Sequence, residues 1–181
     1  MLIMLKSFFL AADEVWRLRY STLISAENVI TRNSISTSAE MSTSGHSGNF
    51  VFANGIGLGF STTMTSGNLE DISYKFKNSS LDLSYTIGRS FSFTLGVARM
   101  INGHGEIIID SVDYSTKSIS GESIFLNFGI PFFGGEFLLG YRQDNSKFKN
   151  YQCQMSGKSV ILSEPVNLVS GQINAGIGFL F

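Results

Sequence analysis

Side chains of alternating character recur along this chain from end to end, and a period of two marks an extended strand with unlike faces. The last twelve residues, SGQINAGIGFLF, put Ile173, Ala175, Ile177, Phe179 and Phe181 on one face. Gln172, Asn174, Gly176, Gly178 and Leu180 fall on the other. Between Asn49 and Ser61 the pattern returns, with Phe50, Phe52, Ile56, Leu58 and Phe60 set against Val51, Ala53, Gly55, Gly57, Gly59 and Ser61.

Two hairpins are legible. Leu81, Leu83, Tyr85 and Ile87 lead into a turn near Gly88-Arg89, and Phe91, Phe93, Leu95 and Val97 return. Ile124, Leu126, Phe128, Ile130 and Phe132 lead to Gly134-Gly135, after which Phe137, Leu139 and Tyr141 come back. Paired glycines in a short connection favour such a turn. Near the start, Trp16, Leu18, Tyr20 and Ile24 oppose Arg17, Arg19 and Ser21. Ile72, Tyr74 and Phe76 align, but their parity breaks before Leu81, which predicts a bulge at Asn78 and Ser79. The pattern predicts eight strands, at 14–24, 28–43, 49–65, 69–87, 90–101, 122–132, 136–148 and 170–181. Short connections fall at Gly45-His46-Ser47-Gly48, Gly88-Arg89 and Gly134-Gly135, and long ones at 102–121 and 149–169.

Which face is inside decides the class. The large-residue face carries almost no charge, whereas the other carries Gly, Ala, Ser, Thr, Asn and a few ions. Gly55, Gly57 and Gly59 in succession cannot fill a soluble core. They can line a narrow lumen filled by larger polar side chains from facing strands. The candidates are Arg17, Arg19, Asp82, Asn127, Glu136, Arg142, Gln172 and Asn174. Buried ions must pair, so the three arginines are expected to meet Asp82 and Glu136. Apolar-out and polar-in over segments of about ten residues is the pattern of a membrane barrel, and closure satisfies every backbone group in lipid. The fold class expected is therefore all-β, a closed antiparallel up-and-down transmembrane barrel of eight strands.

Composition agrees. Sixteen Phe and six Tyr suit strands, nineteen Gly do not unless one face is bare, and two Pro interrupt little. The length of 181 residues suits one domain, placed at 13–181. Residues 1–12, MLIMLKSFFLAA, look like a secretory signal or an apolar lead-in. A net charge of −1 with scattered basic residues gives no footprint for nucleic acid.

With its alternating strands and terminal Phe181, the chain resembles the small eight-stranded outer-membrane barrels of the OmpA, OmpX and OmpW kind. The likeness covers the pattern from about residue 13 onward and is most specific at the end. It implies an outer-membrane location in a bacterium, with membrane lipids and the outer-membrane assembly machinery as partners. It also implies that Ile173, Ala175, Ile177, Phe179 and Phe181 form the signal that machinery reads. A monomer is expected. The function expected is a structural or interaction role through exposed loops. The alternative is passive transport of small apolar molecules, as the likeness to OmpW suggests, and an enzyme acting on lipids ranks third.

Motifs for catalysis are weak. GHSGN, Gly45 to Asn49, approaches a nucleophile elbow, but Asn replaces the final Gly and no strand-to-helix turn follows. It reads as a polar turn rather than as Ser47 beside His46 acting on an ester. His46, His104 and Cys153 are too scattered to hold a metal, so no metal and no cofactor is expected.

Overall fold

The computed structural model describes residues 15–32, 35–38, 41–69, 72–88, 91–155, 158–162 and 164–181. Eight strands close a barrel: β1 (Arg17–Arg32), β3 (Met41–Val51), β4 (Ile56–Leu69), β5 (Ile72–Ile87), β6 (Ser92–Ile109), β8 (Ser118–Phe132), β9 (Gly135–Lys149) and β12 (Val166–Leu180). Each pairs antiparallel with its neighbours, β6 pairs with β8, and β12 returns to β1, so the ring has no edge. Four shorter strands extend one end: β2 (Ile35–Ser38), β7 (Val112–Thr116), β10 (Tyr151–Met155) and β11 (Lys158–Leu162). The start of β1, the end of β12, the turns at 52–55 and 133–134, and the facing ends of β5 and β6 at Ile87 and Ser92 lie at the opposite, short-turn end. The stretch 1–12 lies outside the described residues.

The expected parity holds along the walls of that lower part. Leu83, Leu95, Val97, Ile124, Leu126, Phe137, Leu139 and Ile177 point outward, while Asp82, Ser92, Thr94, Ser123, Glu136, Arg142 and Gln172 are buried inside. Aromatic rings gather at the short-turn end. Trp16 lies 5.5 Å from Phe50 and 5.6 Å from Phe52, and Phe181 lies 6.4 Å from Phe50.

Toward the long end the pattern inverts. On β5 the inward side changes from Thr86, Ser84, Asp82, Ser80 and Asn78 to Phe76 and Tyr74. Its outward side changes from Ile87, Tyr85, Leu83 and Leu81 to Lys77 and Lys75. The same switch brings Ile30, Ile107, Phe148, Tyr151, Val166 and Leu168 into one apolar core above the polar interior. The parity break expected at Asn78 and Ser79 is therefore a change of chemistry and not of direction. The bulge sits on the facing strand instead: Ser79 pairs with Asn102 and Ser80 with Met100, which leaves Ile101 over.

Other expectations are corrected. Gly45 to Gly48 is no turn but the middle of β3, paired with β4 throughout and, from His46 to Gly48, with β1 as well. The turn is 52–55, where Gly55 has a positive φ of 83° and its amide bonds Phe52. It was invisible because even-numbered residues of β3 pair with even-numbered residues of β4, as Phe50 with Leu58, so parity runs unbroken through the reversal. The expected strand 28–43 is split between the end of β1, the short β2 and the start of β3. Stretches 102–121 and 149–169 are largely strands rather than loops, and Cys153 is buried on β10. The last short turn is Phe133-Gly134, with Gly135 already in β9.

Candidate polar lumen and wall seam

Two tiers of ions fill the lumen. In the tier nearer the short turns, Glu136 accepts from Arg17 at 2.9 Å and from Arg19 at 2.6 Å. Arg19 also donates to Thr94 at 2.6 Å, Ser92 at 2.9 Å and Thr86 at 3.2 Å, while Ser92 donates to Glu136 at 2.7 Å. Arg17 reaches down to the carbonyl of Gly88 at 2.7 Å. Strand parity places these groups: Arg17 and Arg19 are two apart on β1, so both point inward at successive levels.

In the second tier Arg142 donates to Asp144 at 2.7 Å and to Asp82 at 2.9 and 3.2 Å. Gln172 donates to the other oxygen of Asp144 at 2.8 Å, and Ser61 to Asp82 at 3.1 Å. The Arg142 guanidinium also lies 5.4 Å from the centre of the Phe125 ring. That ring occupies the space above Gly96, where an added methyl would come within 2.1 Å of it. Three arginines thus face three carboxylates, and all six are nearly withdrawn from solvent. Ions so buried hold only when each charge is matched and its remaining hydrogen-bonding groups are satisfied.

Six of the eight expected lumen residues belong to these tiers. Asn127 and Asn174 lie between, half-buried. Asn127 points its Oδ1 across Gly140, where a methyl would meet it at 1.9 Å. Sequence reasoning missed Asp144, although it stands two residues beyond Arg142 and shares its parity. It also missed the hydroxyls of Thr86, Ser92 and Thr94, since short polar residues carry no signal until the strand opposite is known.

Above the tiers the apolar core closes the lumen. Phe76 and Phe148 pack as a tilted pair with ring centres 4.6 Å apart. Tyr151 is fully buried there, its hydroxyl lacks a hydrogen-bond partner, and burial pushes that hydroxyl above its ordinary range.

The ladder of the barrel wall is interrupted between β6 and β8, as it also is beyond Thr22 between β1 and β3. β6 pairs with β8 from Ser92–Gly129 to Arg99–Glu122, and with β7 from Gly105–Thr116 to Ile109–Val112, in one continuous register. Between them, residues 100–104 have no ladder partner on that side. Side chains close the gap: a methyl added at Gly103 would lie 2.5 Å from Ile119 Cδ1, and one at Gly121 would lie 2.5 Å from Met100 Sδ.

His46 and Ser47, adjacent on β3, point to opposite sides. Ser47 Oγ lies 2.7 Å from Ser21 Oγ, whereas His46 faces outward against Tyr20 at 6.3 Å. His104 is bonded to Glu106 at 2.8 Å near the long end. The two histidines thus stand on different walls.

No protein-family model matches the chain, and no curated protein matches it in sequence. Solved structures do match in shape. Neisserial surface protein A superposes with a TM-score of 0.62 at 12% identity, covering 92% of this chain and 97% of that one. Ail, the attachment invasion locus protein of Yersinia pestis, gives 0.52 at 11% identity, covering 92% and 99%. The outer membrane protease OmpT of Escherichia coli gives 0.50 at 10%, covering 94% and 97%. Identities this low speak for fold alone, and on that ground the chain is an all-β closed barrel of eight antiparallel strands, built like the small outer-membrane barrels it resembles.

Proposed function

We propose that this protein is a plugged bacterial outer-membrane barrel that acts as a fixed platform, presenting the strands of its long end outside the cell. The observation that carries this reading is the internal pairing of every lumen ion described above, capped by an apolar core. An eight-stranded barrel has an interior just wide enough for side chains, and here charged and apolar layers fill it in turn. The outward apolar wall with aromatic rings at its short-turn end supports the membrane location. The short turns then face the periplasm, and β2, β7, β10 and β11 stand above the outer surface. The function is one of contact and not of catalysis.

Planar-bilayer recording of the refolded protein, alongside outer-membrane fractionation and heat-modifiable gel migration, tests this. A folded, membrane-located and electrically silent barrel is expected. Sustained conductance well above background would overturn the plug.

A second reading, passive transfer of small apolar molecules, draws support from the interruption between β6 and β8, where residues 100–104 have no ladder partner on that side. Protein-dependent entry of a small apolar dye into sealed liposomes would move transfer to first place.

A further inference from the structure

We propose that the outer wall at the interruption between β6 and β8 holds one phosphorylated lipid of the surrounding membrane, its acyl chains below and its phosphate above; this rests on the membrane reading given above. Two independent observations meet there. The first is a cavity of about 1650 Å³ that follows the wall over β5, β6, β8 and β9. Its lower lining is apolar and faces outward, with Leu81, Leu83, Val97 and Ile124 each more than half exposed. Above them, apart from Ile101, the outward lining on β6, β8 and β9 is polar, with Arg99, Glu122, Asn145 and Lys147 among it. The change falls between successive outward rungs of one ladder. Val97 pairs with Ile124, and the next outward pair is Arg99 with Glu122. Arg99 also pairs with Leu81 of β5, so cation and hydrocarbon stand side by side.

The second observation is the state of the cations. Arg17, Arg19, Arg32 and Arg142 each reach a carboxylate. Arg99, alone among the described arginines, has neither an ion pair nor a hydrogen bond, although Glu122 stands directly across the ladder. Lys147, across from Ser120 on the next outward rung, is likewise unpaired. Two strand spacings of ~4.8 Å and one two-residue step of ~6.8 Å put the backbones of Arg99 and Lys147 ~12 Å apart. Two long side chains close that span on a single anionic group lying over Ser120.

A phosphorylated lipid is the occupant that fits. An inorganic phosphate would engage the cations and leave the apolar lining unused, whereas an acyl chain alone would leave Arg99 without a counter-charge. The guanidinium fork matches phosphate oxygens in pairs, and cations at the membrane surface attract anionic headgroups. Glu122 offsets one of the two positive charges, so recognition needs tails and phosphate together and does not follow from charge alone.

Native mass spectrometry of the refolded full chain in detergent tests the site, with dimyristoyl phosphatidic acid, dimyristoylglycerol and glycerol phosphate as probes. Wild type is expected to retain one phosphatidic acid and neither of the other two at the same concentration. The double variant Arg99→Gln, Lys147→Gln should weaken that retention about tenfold or more, while Lys75→Gln, outside the cavity, leaves it unchanged. All three side chains face outward, and heat-modifiable migration checks that each barrel has folded. Phosphatidic acid held equally by the double variant, or not held by a folded wild type, would overturn the site while leaving the plugged barrel intact. Equal retention of dimyristoylglycerol would overturn the phosphate's part, and equal retention of glycerol phosphate would reduce the site to one for a free anion; either result defeats the proposal. Failure of wild type to fractionate with the outer membrane would remove the membrane reading, and the proposal with it.

Discussion

Phe181 and Trp16 exchange two backbone hydrogen bonds, Trp16 N–H to Phe181 O at 3.0 Å and Phe181 N–H to Trp16 O at 3.1 Å. The last residue of the chain is thereby the stitch that begins the β1–β12 seam, and its ring joins the aromatic cluster of Trp16 and Phe50 at the short-turn end.

Deleting Phe181 removes both bonds, for which ~0.5–1.5 kcal/mol each is the ordinary scale. If the terminal residues also serve as an assembly signal, the loss in cells will exceed that modest loss of stability. The expected outcome is near-normal refolding into micelles but accumulation in the periplasm or degradation in vivo. Normal insertion in cells would show that the terminus has no such role.

Depth should govern the cost of outward charge. Leu126 lies on the apolar wall between Leu95 and Tyr141. Leu126→Arg should destabilise the barrel by ~2–4 kcal/mol, whereas an arginine near the interface costs ~0–1 kcal/mol. Ser120→Arg, on the same face of β8 beyond Glu122, supplies that comparison. Denaturant unfolding in lipid vesicles measures both, and equal losses would contradict the assigned membrane level.

Arg142→Ala strands Asp82 and Asp144 together in the lumen. Breaking a buried pair typically costs ~3–5 kcal/mol, and here two carboxylates lose one partner. Unfolding should move accordingly without any gain in conductance. A stable, conducting Arg142→Ala barrel would mean that the arginine gates a path.

Tyr151→Phe should be neutral or stabilising. The hydroxyl is buried without a partner, and leaving such a group unsatisfied costs ~1–3 kcal/mol. Thermal unfolding in detergent is the measurement. A clear loss would mean that water or an ion serves the hydroxyl.

The lower half of the barrel was legible in sequence because two rules reinforce each other there. Leu81 to Ile87 and Phe91 to Val97 alternate cleanly and meet at a glycine, so strand, turn and face agree. The pairing of Arg142 with Asp82, sixty residues away, could be expected from charge neutrality alone. Its second partner Asp144 was missed although three arginines set against Asp82 and Glu136 leave one positive charge over, because the return strand was read from its apolar residues, which end at Tyr141. The upper half escaped for a different reason. Tyr74 and Phe76 obey the rule of soluble proteins, and a single rule for the whole strand turns that reversal into a false slip. GHSGN misled through composition: Gly, Ser and Asn favour turns, but backbone pairing on both sides held them in a strand.

The reversal along β5 has a mechanical consequence. Lys77 and Leu81 face the same way, and between them the preferred surroundings pass from water to hydrocarbon. β5 thus carries a waterline, and the ladders tie it to its neighbours so that it cannot slide alone. Sinking the molecule would drag lysines into oil, and lifting it would bare leucines to water. A floating body with its draught fixed so firmly holds everything above the surface at one height, whatever the thickness of the sea of lipid beneath.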